Sequence, residues 1–137
     1  MSADTLAGVT LLSRTTYADL QAGQRFGPFR EQLTAELSAG LRGAPSASRP
    51  AVLAPGGVLP LLTLRALRRA LEGIPAGGVL LGQRFAVHAD LPADAAVDVA
   101  VRVAVQEHRG GHLLTTFVFA LHQDGDLAAV VEWTIRA

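Results

Sequence analysis

The sequence has 137 residues and a mass of 14.3 kDa, a size that fits one domain with a core of its own. Half of the residues are hydrophobic and 18% are charged, which excludes a disordered chain. Twelve basic residues, all of them Arg, balance twelve acidic ones, which argues against a general nucleic-acid binder. The lack of Cys removes disulfides, thiolate nucleophiles and Cys-based metal sites together.

The start, Met1 to Gly8, has no basic residues followed by an apolar stretch, so no secretory signal is read there. The longest apolar stretch, Ala51–Leu64, is broken by Pro55, Gly56, Gly57, Pro60 and Thr63, and a membrane span needs about 20 apolar residues. A soluble, cytoplasmic protein is expected. Val9–Leu12 reads as a short strand or part of an extended arm over residues 1–15. Tyr17–Gly23 reads as one helical turn stopped by a glycine. Arg25–Leu33, with Phe26 and Phe29, is expected to run extended and to bend at Gly27-Pro28. Thr34 can cap a short helix over Ala35–Leu41. Arg42–Pro55 holds three prolines and two serines and reads as a loop.

Val58–Glu72 is the clearest helix. Pro60 is expected in its first turn, and Gly73 and Pro75 end it. Its first half is apolar all round, so that end must be enclosed. Its second half carries Arg65, Arg68, Arg69 and Glu72 at helical spacing, with Leu64, Leu67 and Leu71 opposite. Everything beyond it reads as strand. Val79–Val87 is followed by a turn at Asp90–Asp94. Val97, Val99, Val101, Val103 and Val105 then alternate with more polar or smaller residues, a period-2 pattern. Arg109-Gly110-Gly111-His112 and Asp124-Gly125 read as hairpin turns on either side of a strand over Leu113–His122. Leu127, Ala129, Val131, Trp133 and Ile135 form one face of a last strand.

A mostly antiparallel sheet must bury one face, and an enclosed apolar helix is what it would wrap. The fold class expected is therefore α+β, a hot-dog arrangement in which a curled sheet surrounds the helix Val58–Glu72, with residues 1–137 in one domain. An all-β sandwich fits less well, because it leaves that helix without a role. Exposed sheet edges are best covered by pairing across a two-fold axis, so at least a dimer is expected.

At this point the residues resemble the MaoC-like dehydratases, the (R)-specific enoyl-CoA hydratase group of hot-dog proteins. Tyr17-Ala-Asp-Leu-Gln-Ala-Gly23 is similar to that family's opening, Thr34–Gly43 to the short helix before its active-site loop, and Pro55–Leu64 to its central helix. The resemblance covers about residues 16–136. Family members carry Gly-Asp-x-Asn-Pro-x-His in the loop, whose Asp and His do general acid–base work on water. Here Gly43 keeps the glycine, Ala44 stands at the Asp, Ser46 at the Asn and Arg49 at the His. No Asp, Glu or His occurs from Leu37 to Leu71. What the resemblance still implies is a binding feature. The N–H groups of Gly56, Gly57 and Val58 open a buried helix, where the family polarises a thioester carbonyl.

Other chemistry-bearing residues have plainer readings beside the functional one. His108 and His112 flank a turn and are more simply solvated than a metal pair. His88 and His122 are more simply surface groups than a recruited base. Arg65, Arg68 and Arg69 would suit coenzyme A phosphates or the acidic face of an acyl-carrier protein, but a solvated helix end explains them as well. Glu72 lies far from the Gly56-Gly57 entrance, Trp133 reads as core, and Ser46 and Ser48 have no histidine near them in sequence. No metal or cofactor is expected, and no catalytic residue is assigned.

Three function readings follow. The first is a catalytically degenerate MaoC-like protein that binds acyl-CoA or acyl-carrier protein thioesters, or the non-catalytic half of an enoyl hydratase or dehydratase, working as a homodimer or heterodimer. The second is an active hydratase or acyl-CoA thioesterase with non-standard residues. The third is a non-enzymatic hot-dog dimer acting as an interaction module. The first is preferred.

Overall fold

The computed structural model describes residues 15–32, 55–72, 77–91 and 95–137. The expectations for Val9–Leu12, the short helix after Thr34, the loop through Ala44, Ser46, Ser48 and Arg49, and most of the turn after Asp90 lie outside those residues. After a 3-10 turn at Tyr17–Asp19 come β1 (Arg25–Gln32), α1 (Pro55–Ala70), β2 (Val79–Val87), β3 (Ala96–Arg109), β4 (His112–Gln123) and β5 (Asp126–Arg136). The strands form one antiparallel sheet in the order β1-β3-β4-β5-β2. It curls round α1, the one α-helix among the described residues.

Alternation decides which side chains face the helix. Val97, Val99, Val101 and Val103 are buried, and so are Phe117, Phe119 and Leu121 on β4 and Val131, Trp133 and Ile135 on β5. They meet Val58, Leu59, Leu62, Ala66, Leu67 and Leu71 of the helical segment in one core. Each large apolar side chain so buried contributes roughly 1.5–3 kcal/mol. The helix packs mainly on β3 and β1. Both hairpins close as two-residue turns. Gly110 and Gly111, at φ +58° and +81°, join the facing pair Arg109 and His112, and Asp124 and Gly125, at +52° and +83°, join Gln123 and Asp126. Positive φ at both positions is the turn whose twist matches the strands.

The helix departs from expectation at its start. It begins at Pro55, three residues before Val58, because a proline suits the first helical position. Pro60 therefore stands inside the helix and not in its first turn. Just beyond it, the buried Thr63 hydroxyl donates to the carbonyls of Leu59 at 2.9 Å and Pro60 at 3.0 Å. The first half is not enclosed on every side either. Val58, Leu59 and Leu62 are buried, but Leu61 and Leu64 are half-exposed. At the far end Thr15 bridges Leu71 and accepts the Glu72 N–H.

The bend in β1 has a steric cause. Gly27 sits at φ +85° where the β1–β3 register slips between Phe26 and Phe29. A Cβ there would lie 2.9 Å from the carbonyl oxygen of Val99. Among the described residues, no helix is long and apolar enough to cross a membrane.

Gly27→Ala is expected to cost about 2 kcal/mol or more in urea unfolding, because it adds a clash to a left-handed backbone. Gly110→Ala, at φ +58° with open space around it, should cost about 1 kcal/mol. Equal losses would contradict the steric account. Burial also pushes the Tyr17 phenol above its ordinary range, with Thr115 beside it pulling the other way. Its hydroxyl donates to the Ile135 carbonyl at 3.3 Å. The unfolded phenol ionises first, near pH 10, so this contribution is complete below that pH and disappears as pH rises through the folded value. Stability of Tyr17→Phe should decline less than that of the parent above pH 10, and parallel declines would contradict this.

Candidate functional site

Helix geometry limits the donors at the head of α1. With Pro55 first and lacking an N–H, Gly56 and Gly57 are the residues of that turn whose N–H groups have no partner within the helix. The fourth residue, Val58, is 1% exposed. Its side chain thus belongs to the core beneath the first turn.

The other end of α1 is bound electrostatically. Glu31, on β1, is buried at 4% exposure. Arg65 Nε approaches its Oε1 at 2.8 Å and an Arg69 Nη atom its Oε2 at 3.2 Å. The same Arg69 group donates to the Arg30 carbonyl at 3.0 Å, and its guanidinium lies 5.7 Å from the Phe29 ring centre. A buried carboxylate is tolerated only when paired and hydrogen-bonded, and two guanidiniums meet both needs. This corrects the plain reading of Arg65 and Arg69 as a solvated helix end. They are half-exposed, yet they fasten the helix to β1. Glu31 sits in a segment whose residues read only as extended, so no local motif singles it out. Its signal was parity: it faces the same side as Phe29 and stands opposite Val97, a core position. Held by two cations, it is a strut and not a free base.

A third feature lies at the opposite end of the sheet. Edge strand β2 is exposed along its length. Leu80, Phe85 and Val87 pair with Ile135, Val131 and Ala129 and share the helix-facing side, yet they are 46%, 41% and 45% exposed. Between them Gln83 pairs with Trp133. Gln83 Oε1 and Trp133 Nε1 are both buried without a hydrogen-bond partner, and each such group costs about 1–3 kcal/mol. One is an acceptor and the other a donor. Trp133 is core, as its alternation predicts.

The remaining candidates are dispersed. His108 pairs with Leu113 and His112 with Arg109, so the two histidines point to opposite faces of the hairpin and do not meet. His88 is exposed after β2, and His122 faces Asp98 on the side away from the helix. Glu72 is exposed, and its backbone N–H donates to the Thr15 carbonyl. Among the described residues, no three His, Asp or Glu side chains cluster as metal ligands would.

Comparison with solved structures places this architecture in a known class. A MaoC-like dehydratase from Rhodospirillum rubrum superposes with a TM-score of 0.70 over 89% of this chain and 95% of its own, at 13% identity. An (R)-hydratase from A. caviae involved in PHA biosynthesis gives 0.66 over 85% and 96%, at 20% identity. The HadBC (3R-hydroxyacyl-ACP dehydratase) complex from Mycobacterium tuberculosis gives 0.65 over 85% and 96%, at 16% identity. No protein-family model matches the sequence, and neither does any curated protein. The chain has the hot-dog fold, and the structures it resembles include MaoC-like dehydratases and (R)-hydratases.

Removing the clamp should loosen the helix. Arg65→Ala or Arg69→Ala alone is expected to cost about 1–3 kcal/mol, since Glu31 keeps one partner. Together they should cost about 3–5 kcal/mol, and adding Glu31→Met should restore much of the loss. A double variant that unfolds at the same urea concentration as the parent would remove the strut.

Proposed function

We propose that this protein is a MaoC-like hot-dog subunit that binds acyl thioesters, of coenzyme A or acyl-carrier protein, without performing the family's usual hydration. The observation that carries the reading is the head of α1. Two glycine N–H groups, Gly56 and Gly57, open a helix whose next residue, Val58, is already core. Donors at a helix start stabilise an oxygen carrying partial negative charge. A thioester carbonyl is such an oxygen, and Val58 closes the floor beneath it. The loss of ordinary catalysis rests on Ala44 and Arg49, which replace a carboxylate and an imidazole in the resembling motif. The described carboxylate nearest in sequence before that loop, Glu31, is held by two arginines.

The state proposed is a dimer through β2, with a second copy or with another hot-dog subunit. An edge strand with exposed Leu80, Leu81, Phe85 and Val87 is unfavourable in water unless covered. A partner strand would cover that apolar edge, and groups from the partner or the ligand could satisfy Gln83 and Trp133. One solved structure of the same fold is itself a complex, HadBC, which supports a partner of this kind. If the partner brings an intact acid and base, the pair is an enoyl hydratase or dehydratase in which this chain is the non-catalytic half.

The test measures binding and turnover separately on purified protein. Crotonyl-CoA and a longer acyl-CoA should bind saturably, with hydration and thioester hydrolysis at background. Gly57→Pro, which removes a donor at a position where proline can still be accommodated, should weaken binding about tenfold with little change in stability. Robust turnover by the chain alone would replace this reading with that of an active hydratase or thioesterase. Saturable binding that Gly57→Pro leaves unchanged would remove the helix-head site. Phe85→Glu should shift sedimentation toward monomer, and an unchanged dimer would exclude β2 as the contact.

A further inference from the structure

The face of the sheet turned away from α1 carries a cleft of about 630 Å³. Register explains its shape. Ala100, Ala120 and Val130 stand side by side on β3, β4 and β5 and point outward, leaving a low apolar floor. Three adjacent strands span roughly 10 Å. Pro28, at the bend in β1, and the exposed Leu127 lie among the residues that border it.

Its charged end is unusual. Arg25 and Arg102 face each other directly across β1 and β3, and both line the cleft. Like charges in that position are destabilising. Neither guanidinium has a hydrogen bond or ion pair among the described residues. The neighbouring outward pair on the same two strands shows the usual solution. There Arg30 faces Asp98 and grips both carboxylate oxygens at 3.0 and 3.1 Å. In the row of Arg25 and Arg102 the described carboxylate is Glu132, two strands away and opposite Arg84. The two arginines therefore border one cleft that has room for an oxyanion and, among the described residues, no carboxylate in its lining.

We propose that this outer cleft binds an amphipathic anion, its carboxylate or phosphate head between Arg25 and Arg102 and its apolar tail across Ala100, Ala120 and Val130. Guanidinium forks match the paired oxygens of either head group. The floor of small side chains offers a thin chain apolar surface to cover. The site lies on the opposite side of the sheet from the head of α1, so it is independent of the thioester reading.

The test is a titration of the full chain, isotopically labelled and followed by amide chemical shifts. Decanoate and decyl phosphate, both below micelle formation, are compared with decanol and with inorganic phosphate. Both amphiphiles should shift Ala100, Arg102, Ala120 and Val130 saturably. Each should bind about tenfold or more tightly than decanol or phosphate alone. The tighter of the two identifies the preferred head group. Arg25→Gln and Arg102→Gln, at exposed positions, should each weaken binding about tenfold. Ala120→Trp should block it with both arginines in place. Four results would overturn the proposal: no saturable shift, shifts confined to the helix side, decanol binding as well as decanoate, or affinity unchanged in the Arg25→Gln/Arg102→Gln variant. Sedimentation showing that copies stack on this face, disrupted by Ala120→Trp, would assign the cleft to self-association instead and overturn it too.

Discussion

Burial of one side of α1 against the concave face of the sheet is the constraint from which the rest of the molecule follows. Val58, Leu59, Leu62, Ala66 and Leu67, with Leu71 just past the helix end, lose nearly all contact with water there. They do so only because β3 offers a run of valines at alternate positions and the sheet curls toward them. The apolar term is large but non-directional. The ion-paired Glu31 adds direction, since it joins β1 to the second half of the helix through Arg65 and Arg69. The helix is thus held along its length by packing and at one end by charge, and its other end presents two glycine N–H groups.

Position on the sheet then separates three chemistries. The side facing α1 is dry and aromatic, with Phe117, Phe119 and Trp133 in tilted or edge-on contact. The β2 edge is apolar yet exposed and overlies two unsatisfied buried polar atoms. The outer face is mixed: its Arg30–Asp98 pair is complementary and its Arg25–Arg102 pair is not. An all-arginine basic set sharpens these differences, because every cation carries a planar fork suited to carboxylates and phosphates.

Much of the fold could be read in the residue order because its signals are local. The alternating valines of β3, the two hairpin turns at Gly110-Gly111 and Asp124-Gly125, and the bounds of β2 depend on parity and turn chemistry within a few residues. The helix was legible as an element but not at its start. Gly56 and Gly57 read as residues that precede the helix, whereas Pro55 makes a sound first residue and the core beneath Val58 outweighs the low helix propensity of glycine. The Glu31 clamp joins residues 34 and 38 positions apart in sequence. No local pattern announces such a pair, although the parity of Glu31 with Phe29 marked it as facing inward. His108 and His112 are the opposite case: they are near in sequence, the plainer reading of solvated groups beside a turn is the preferred one, and the hairpin register keeps them on opposite faces.

The central claim is that α1 and the strands beneath it form one cooperative unit, and native-state amide hydrogen exchange tests it most directly. Opening free energies should agree, within error, for amides in the Leu62–Ala70 turns of the helix and in Val97–Val103 of β3, and both should equal the global unfolding free energy. A helix whose amides exchange through a local opening well below that of β3 would contradict the account.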